Sequence, residues 1–253
     1  MTTTEGALRD RHRPAHATRT AASHAAFLLP HLRPGMALLD IGCGPATITA
    51  GLAEAVAPGP ATGVDLEPPS DPVEGVTLVR ADGADLPFDD ASFDAVFACA
   101  LLQHVPDPLA VLREARRVAR PGAVIGLADA DWGGMLLAPP DPVLEASFGL
   151  TAKLRTGSPY VGRDLRGLLA DAGFTRCTAT ARATCHGTDE EVRGFAGFNA
   201  SWFETPAIVE RVVANGWASA DEVRATAQAW RAWGERPGAF FAGFWCEALG
   251  FLD

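Results

Sequence analysis

The sequence predicts an α/β fold built on a parallel sheet, and three observations support that class. Through the first half of the chain, short apolar segments typical of strands alternate with amphipathic segments typical of helices. The connections between them are short, as expected where helices link parallel strands. Several of the predicted strands end on an acidic residue. The 253 residues, 48% of them hydrophobic, suffice for one such domain with an appended cap or for two small domains.

Strand-like segments and helices account for most of residues 36–130. The predicted strands of this half are 36–41, 61–66, 76–82, 93–100 and 123–130. A helix over 46–57 follows the first strand and carries its apolar residues on one face. A second helix begins at Asp107 and Pro108, a favourable N-cap followed by proline at the first helical position. Pro121 ends that helix.

The two ends of the chain are less regular. Residues 1–35 predict a helical arm, whose best helix runs from Ala21 to Leu29 and is broken by Pro30. The predicted helices of the second half are 161–173, 188–203, 205–216 and 219–238, and its predicted strands are 174–184 and 239–251. The segment "DADWGGM" (129–135) is expected to leave the fifth strand as a loop near the ligand site.

Three acids and two glycines mark the expected ligand site. Asp40, Asp65 and Asp82 end three successive strands, and Gly42 and Gly44 follow the first of these strands. Ligands of open parallel sheets bind beyond the carboxyl ends of the strands, so the acids are expected to line one edge of a site. The glycines allow a sharp turn and the close approach of a ligand. An acid that ends the second strand is well placed to bind ribose hydroxyls.

Charge and cysteine content exclude several other classes. The formal net charge of −10 argues against nucleic acid or an anionic membrane surface as a partner, because phosphate binding needs clustered basic residues. The five cysteines follow no paired metal-binding spacing, and their odd number favours reduced thiols. With no signal peptide and no transmembrane segment in the sequence, we expect a cytoplasmic protein. Strand four ends in Ala98 and Cys99 rather than in an acid, so we expect no metal ion.

Four segments between residues 36 and 130 together resemble a known family. In order along the chain, they are "LLDIGCGPATIT", "TGVDLE", "RADGADLPFDDASFDAVFACALLQHVPDP" and "VARPGAVIGL". They resemble the class I S-adenosylmethionine-dependent methyltransferases of the ubiquinone/menaquinone-biosynthesis-like group. The resemblance implies a Rossmann-like, three-layer, seven-stranded and mostly parallel sheet with a helical insertion between the last two strands. It also implies an N-terminal arm at 1–35 and a methyltransferase domain at 36–253, with a helical cap at about 186–237.

The same resemblance implies S-adenosylmethionine as cofactor and gives the matching residues their roles. The implied cofactor-binding residues are Asp40, Gly42, Cys43, Gly44, Asp65, Leu66, Asp82, Gly83, Ala98 and Cys99. The first acid and the glycine turn would hold the methionine part. The acid and the leucine after strand two would hold the ribose and the adenine, and the pair after strand three would hydrogen-bond the adenine. The two residues that end strand four would accept from the methionine amino group through their carbonyls.

Two other readings of the glycine turn are possible. A nicotinamide cofactor would need the dinucleotide fingerprint G-x-G-x-x-G, but the position of its third glycine is Thr47. The turn could also be purely structural. The acids that accompany it favour a ligand site over both readings.

Residues for catalysis and for acceptor binding are also proposed from position. His104 follows strand four and is either a base that acts on the acceptor or a histidine hydrogen-bonded at a helix start. Trp132 either stacks on substrate or anchors a lid, and the two acids within 129–131 could orient an amine or a hydroxyl. The aromatic residues after 186 are mostly expected to form core; Asn199 and Trp202 are the candidates to reach the acceptor.

The predicted activity is methyl transfer to the O, N or C atom of a small-molecule acceptor by in-line displacement. The acidic balance and the aromatic insertion favour an apolar or aromatic acceptor that is uncharged or cationic. The alternative is a catalyst that binds S-adenosylmethionine without methylating, such as a cyclase of natural-product biosynthesis. A module that only binds the cofactor is a third reading. A role in secondary metabolism and a monomeric or homodimeric state complete the expectations.

Overall fold

Seven strands form one sheet in the computed structural model, which describes residues 17–253. The strands are β1 Leu38–Ile41, β2 Ala61–Asp65, β3 Val76–Arg80, β4 Phe93–Cys99, β5 Ala119–Ala138, β6 Thr175–His186 and β7 Phe240–Phe251. Their order across the sheet is β3-β2-β1-β4-β5-β7-β6. The first five strands pair in parallel, whereas β7 runs antiparallel to β5. This confirms the predicted seven-stranded, mostly parallel sheet.

Eight helices and three short 3-10 turns occur within residues 17–253. The helices are α1 Ala21–His24, α2 Thr47–Val56, α3 Pro108–Val118, α4 Pro142–Lys153, α5 Leu165–Asp171, α6 Asp189–Phe203, α7 Pro206–Ala214 and α8 Ala220–Gly234. The 3-10 turns are Leu29–His31, Leu102–His104 and Val161–Asp164. The last three helices lie between β6 and β7 in the chain, which confirms the predicted helical insertion.

The described chain divides into two compact units. The sheet unit comprises residues 17–131, Gly157–Arg182 and Trp245–Asp253, and the helical unit comprises Trp132–Thr156 and Ala183–Phe244. The proposed cap lies within the helical unit. Of the proposed N-terminal arm, residues 1–16 lie outside the described part of the chain.

Apolar cores cover both faces of the sheet in the sheet unit, which gives the three layers. On one face, Val111 and Leu112 of α3 and Leu169 of α5 pack against Ile125 and other strand residues. On the opposite face, side chains of α1 and α2 pack against Phe97 and its neighbours. A core on each face explains why the parallel strands are apolar at nearly every position instead of alternating.

The helical unit has a separate core rich in aromatic residues. Trp230 and Trp233 are fully buried there, and both indole N–H groups have acceptors. Trp230 Nε1 donates to Ser147 Oγ (3.1 Å), and Trp233 Nε1 donates to the Pro139 carbonyl (3.0 Å). Because both N–H groups have partners, the two large indole rings are buried without an unpaired hydrogen-bond donor.

The structure corrects three of the predicted elements. The first helix stops at His24, because Ala25 leaves the helical conformation with φ of −131° and ψ of 14°, and Leu29–His31 form a separate 3-10 turn. The segment 129–135 continues β5 instead of leaving it as a loop. Helix α4 was not predicted. Its Asp141–Pro142 start carries the same N-cap and proline signal that identifies α3, and Asp141 accepts from Val143 N–H.

Candidate functional site

The turn after β1 lies against β2, and three of its residues have left-handed backbone conformations. Gly42, Gly44 and Ala46 have positive φ values of 77°, 52° and 58°. The N–H groups of Gly42 and Cys43 both donate to the Val64 carbonyl, at 2.7 and 2.9 Å. A Cβ atom at Gly42 would lie 2.9 Å from a methyl carbon of Leu101. The first glycine is therefore required by conformation and by space.

Asp40 lies at the carboxyl end of β1 and is buried, with 2% of its surface exposed. Its side chain accepts a hydrogen bond from the Thr49 hydroxyl of α2. Within the described residues no cation pairs with it. Burial raises the pKa of Asp40 to about 7, the Thr49 bond opposes that rise, and the negative charge of Asp65 adds to it. Sequence reasoning identified the acid but missed Thr49, although it lies one α2 turn beyond the glycines.

Asp65 joins the end of β2 to the glycine turn. Its Oδ2 accepts from Gly44 N–H at 3.0 Å, and its Oδ1 accepts from Glu67 N–H at 2.9 Å. Leu66, the next residue, is 48% exposed although it is a large apolar side chain. The end of β2 thus presents a carboxylate and an open apolar surface side by side.

The segment after β3 comes back against β1. The strand β3 ends at Arg80, so Asp82 lies two residues beyond it instead of within it. The Asp82 side chain is exposed, and its Oδ1 accepts from Ala84 N–H at 2.9 Å. A Cβ atom at Gly83 would lie 2.8 Å from Ile41 Cγ2. Only glycine lets this backbone lie so close to β1.

Ala98 and Cys99 end β4 in the middle of the sheet and are buried. They pair with Leu127 and Ala128 of β5. The chain then turns at Ala100, whose φ is +54° and whose N–H donates to the Ala128 carbonyl. Burial is the largest of the effects that raise the pKa of the Cys99 thiol, so this group is neutral at physiological pH.

The ten residues proposed for cofactor binding therefore fall at the ends of four adjacent strands. Direct contacts connect several of them: Asp65 binds the Gly44 amide, and Cys43 lies against Gly63 of β2, where a Cβ would be 3.0 Å from its sulfur. The structure thus brings the sequence-predicted acids and glycines together at the carboxyl ends of neighbouring strands.

His104 ends the 3-10 turn that follows β4, and its side chain is exposed. Its neighbour Gln103 is buried, and Gln103 Oε1 has no hydrogen-bond partner within the described residues. The Gln103 N–H donates to Asp129 Oδ2 at 3.3 Å. Sequence reasoning missed Gln103, because nothing in "LLQHVPDP" distinguishes a buried amide from an exposed one.

The two acids near the end of the parallel part of β5 are both buried. Asp129 accepts from Gln103 N–H, as described above. Asp131 forms a two-point ion pair with Arg163, whose Nε and Nη2 lie 2.6 Å from the two carboxylate oxygens. Asp131 is therefore occupied by a partner from the Val161–Asp164 turn.

The acceptor-binding candidates belong to the helical unit. Trp132 is half-buried, contacts Phe148 edge-on, and lies under Arg155, whose guanidinium carbon is 4.2 Å from its ring centroid. Asn199 is half-buried and donates from Nδ2 to the Phe195 carbonyl one turn earlier in α6. Trp202 is 5% exposed and packs within the aromatic core of that unit.

No group of three or more His, Cys, Asp or Glu side chains within residues 17–253 is placed to hold a metal ion. No helix among these residues has the length and apolar character needed to cross a membrane.

Comparison with known proteins identifies the matching part of the chain. Residues 39–127 match the family model described as a methyltransferase domain. An uncharacterised methyltransferase of Schizosaccharomyces pombe is 29% identical over 70% of this chain and 71% of its own length. The 27-O-demethylrifamycin SV methyltransferase of Amycolatopsis mediterranei is 38% identical over 51% of this chain. The chain spans only about half the length of several relatives, 49% in the rifamycin case.

Solved structures share the architecture. The YcgJ protein of Bacillus subtilis superposes with a TM-score of 0.55 at 17% identity, covering 89% of this chain and 96% of that protein. At this identity the likeness establishes the fold. The family match over 39–127 runs from β1 into β5 and includes every residue expected above to bind the cofactor.

Proposed function

Because the chain carries a class I S-adenosylmethionine-dependent methyltransferase domain of the ubiquinone/menaquinone-biosynthesis-like group, we propose that it transfers a methyl group to a small-molecule acceptor. The acceptor atom is O, N or C, and displacement is in line. One observation carries the proposal. The glycine turn is bonded to Asp65 beside a buried acid, Asp40, that the described protein leaves without a cation.

The residues present fit the cofactor. S-adenosylmethionine supplies an electrophilic sulfonium methyl when it is bound, and its methionine part carries a cationic ammonium group beside a carboxylate. Asp40 and the backbone of Gly42–Gly44 are proposed to hold the methionine part, since a buried carboxylate gains most from a cationic partner. Asp65 is proposed to accept from the ribose hydroxyls with the lone pairs that its two backbone bonds leave free.

The adenine is proposed to lie between the ends of β2 and β3. The exposed apolar surface of Leu66 supports packing on a ring, and the exposed Asp82 carboxylate supports a bond from the adenine amino group. The Gly83 amide is proposed to face a ring nitrogen. The carbonyls of Ala98 and Cys99 are proposed to accept from the methionine amino group.

Acceptor chemistry is proposed from fewer observations. Methyl transfer needs the acceptor in line with the methyl group and water excluded, and it needs a base only where the acceptor keeps its proton. His104 is the proposed base, and its exposed ring leaves it accessible to an acceptor. Trp132 and Asn199 are proposed to contact the acceptor, because both are only half-buried. Trp202 is the weakest of the proposed contacts, since the core of the helical unit already surrounds it.

A role in secondary metabolism is proposed from one relative, whose name describes methylation of 27-O-demethylrifamycin SV. A cytoplasmic location is proposed from the cysteines, which are all free thiols, two of them buried. The net charge of −10 supports a small-molecule acceptor over nucleic acid. We propose a monomer or a homodimer.

The decisive experiment is calorimetric titration of the protein with S-adenosylmethionine, S-adenosylhomocysteine and NADH. We expect the first two to bind and NADH not to bind. Asp65→Ala should weaken binding about a hundredfold, since hydrogen bonds to a charged group are lost. Asp71→Ala, an exposed acid in the loop after β2, is the matched control and should bind as the wild type does. Binding of NADH alone would overturn the proposal.

Transfer itself is tested with methyl-labelled cofactor and metabolite extracts. We expect S-adenosylhomocysteine to accumulate and label to appear in a small molecule. Product formed with the cofactor unconsumed would indicate the non-methylating alternative. Label transferred to RNA would contradict the proposed acceptor class.

A further inference from the structure

Two arginines of the sheet unit converge on one indole ring. Trp245 of β7 is half-buried, and the guanidinium carbon of Arg19 lies 5.0 Å from its ring centroid. The guanidinium carbon of Arg182, on β6, lies 5.9 Å from the same centroid. The imidazole of His24 meets the ring edge-on at 5.0 Å. Three side chains able to carry positive charge thus surround one aromatic surface.

Only part of the hydrogen-bonding capacity of Arg182 is used within residues 17–253. Its Nε donates to Glu247 Oε1 at 2.7 Å. Its Nη2 is buried and has no hydrogen-bond partner among the described residues. A guanidinium can only donate, and a buried N–H without an acceptor is costly. An oxygen acceptor would satisfy this N–H group, and a negatively charged oxygen would bind it most strongly.

Arg19 is similarly short of an acceptor. Among residues 17–253 it forms no ion pair, and burial lowers its pKa although Cys99 and Asp129 act in the opposite sense. The charges of both Arg19 and Arg182 also act on the Cys99 thiol, so the two guanidiniums are near the end of β4. This is the strand end that the proposed function assigns to the methionine part of the cofactor.

We propose that Arg19 and Arg182 bind a carboxylate of the methyl acceptor beside the Trp245 ring. The inference rests on the proposed function and specifies its substrate class as an acid with an apolar or aromatic body. All three residues lie outside the matched segment 39–127. The net charge of −10 favours an uncharged or cationic acceptor. Beside Trp245, however, Glu247 pairs with Arg182 alone, and Arg19 has no ion-pair partner within residues 17–253, so one guanidinium is left to pair with an acidic acceptor.

The test uses benzoate and its neutral analogue benzamide as probes on protein saturated with S-adenosylhomocysteine. Wild type should bind benzoate about tenfold more tightly than benzamide, because charge-assisted bonds form only with the acid. Arg182→Gln should remove that preference, and Arg19→Gln should reduce it. The matched controls are Arg176→Gln on the same strand, whose guanidinium pairs with Asp253, and the exposed Arg33→Gln. Both should keep the preference.

A second arm separates the acceptor's carboxylate from that of the cofactor. Arg182→Gln should bind S-adenosylhomocysteine within about twofold of wild type. If the variant loses affinity for S-adenosylhomocysteine but not for its decarboxylated analogue, the guanidinium serves the cofactor and the inference is overturned. It is also overturned if wild type shows no preference for benzoate or if Arg182→Gln retains one. Failure of wild type to bind S-adenosylhomocysteine would instead overturn the proposed function.

Discussion

Asp40 at the end of β1 and Asp131, the second of the two buried acids near the end of the parallel part of β5, have different hydrogen-bond partners. Asp131 on β5 is 6% exposed and receives two charge-assisted bonds of 2.6 Å from Arg163. Asp40 on β1 is 2% exposed and receives one bond from the neutral hydroxyl of Thr49. One buried charge is matched by the protein itself, whereas the other has only a partner that cannot neutralise it.

The difference separates a structural acid from an acid that is ready for a ligand. A buried carboxylate is stable as an ion only where a cation and hydrogen bonds replace its water. Arg163 does this for Asp131. For Asp40 the protein instead raises the pKa to about 7, so that near neutral pH the acid is about half protonated. A cationic ligand at the end of β1 would shift that balance towards the ion.

The largest expected effect is a pH-dependent stability difference at Asp40. Its pKa rises from 3.8 to about 7 on folding, so the folded protein keeps a proton that the unfolded chain has lost. The contribution of Asp40 to stability is complete below about pH 4 and is lost as the pH rises through about 7. Asp40→Asn should therefore gain on the order of 3 kcal/mol relative to wild type between pH 4 and pH 8. Urea unfolding of the ligand-free protein at several pH values measures this.

The exposed Asp89→Asn controls for the loss of one negative charge.

The same argument predicts that cofactor binding near pH 7 releases a proton from wild type and none from Asp40→Asn. Calorimetry in buffers of different ionisation enthalpy measures that proton. A parallel pH dependence of stability in wild type and Asp40→Asn would remove the basis for treating the two acids as different.

Much of the β1 end was predictable, because its determinants are local in sequence. The glycine turn, the acid before it and α2 after it all lie within residues 38–56, and the parallel pairing of the strands follows from alternation with helices. Thr49 was missed because a hydroxyl on a helix looks like any other small polar residue. Only the folded chain shows that it faces Asp40 and not solvent.

The β5 end could not be predicted in the same way, because its partners come from distant parts of the chain. Arg163 is 32 residues from Asp131, in a turn that was predicted as part of a helix. The segment 129–135 was expected to leave β5 as a loop, but it remains in the sheet as part of β5. The arginines around Trp245 are a further case, since no periodicity links Arg19 to β6 and β7.

A smaller change in stability is expected when either of the two glycines in the turn beside Asp40 is replaced by alanine. Gly42→Ala should cost about 2 kcal/mol of stability, because φ is +77° and the added Cβ would lie 2.9 Å from Leu101. Gly44→Ala should cost about 1 kcal/mol, because φ is +52° but no atom lies within 4 Å. Thermal unfolding compares them. Equal costs would show that the contact with Leu101 contributes nothing.

The smallest effect is expected from Arg163→Gln, and it addresses the comparison directly. The guanidinium is 56% exposed, so water can replace part of what it supplies to Asp131. The backbone N–H of residue 163 also still donates to Asp131 Oδ2. We therefore expect a modest fall in the unfolding midpoint and no change in affinity for S-adenosylhomocysteine. If the variant instead loses the cofactor while it remains folded, Asp131 belongs to the ligand site as Asp40 does. Calorimetry on the folded variant distinguishes the two outcomes, because a structural ion pair affects only the unfolding transition.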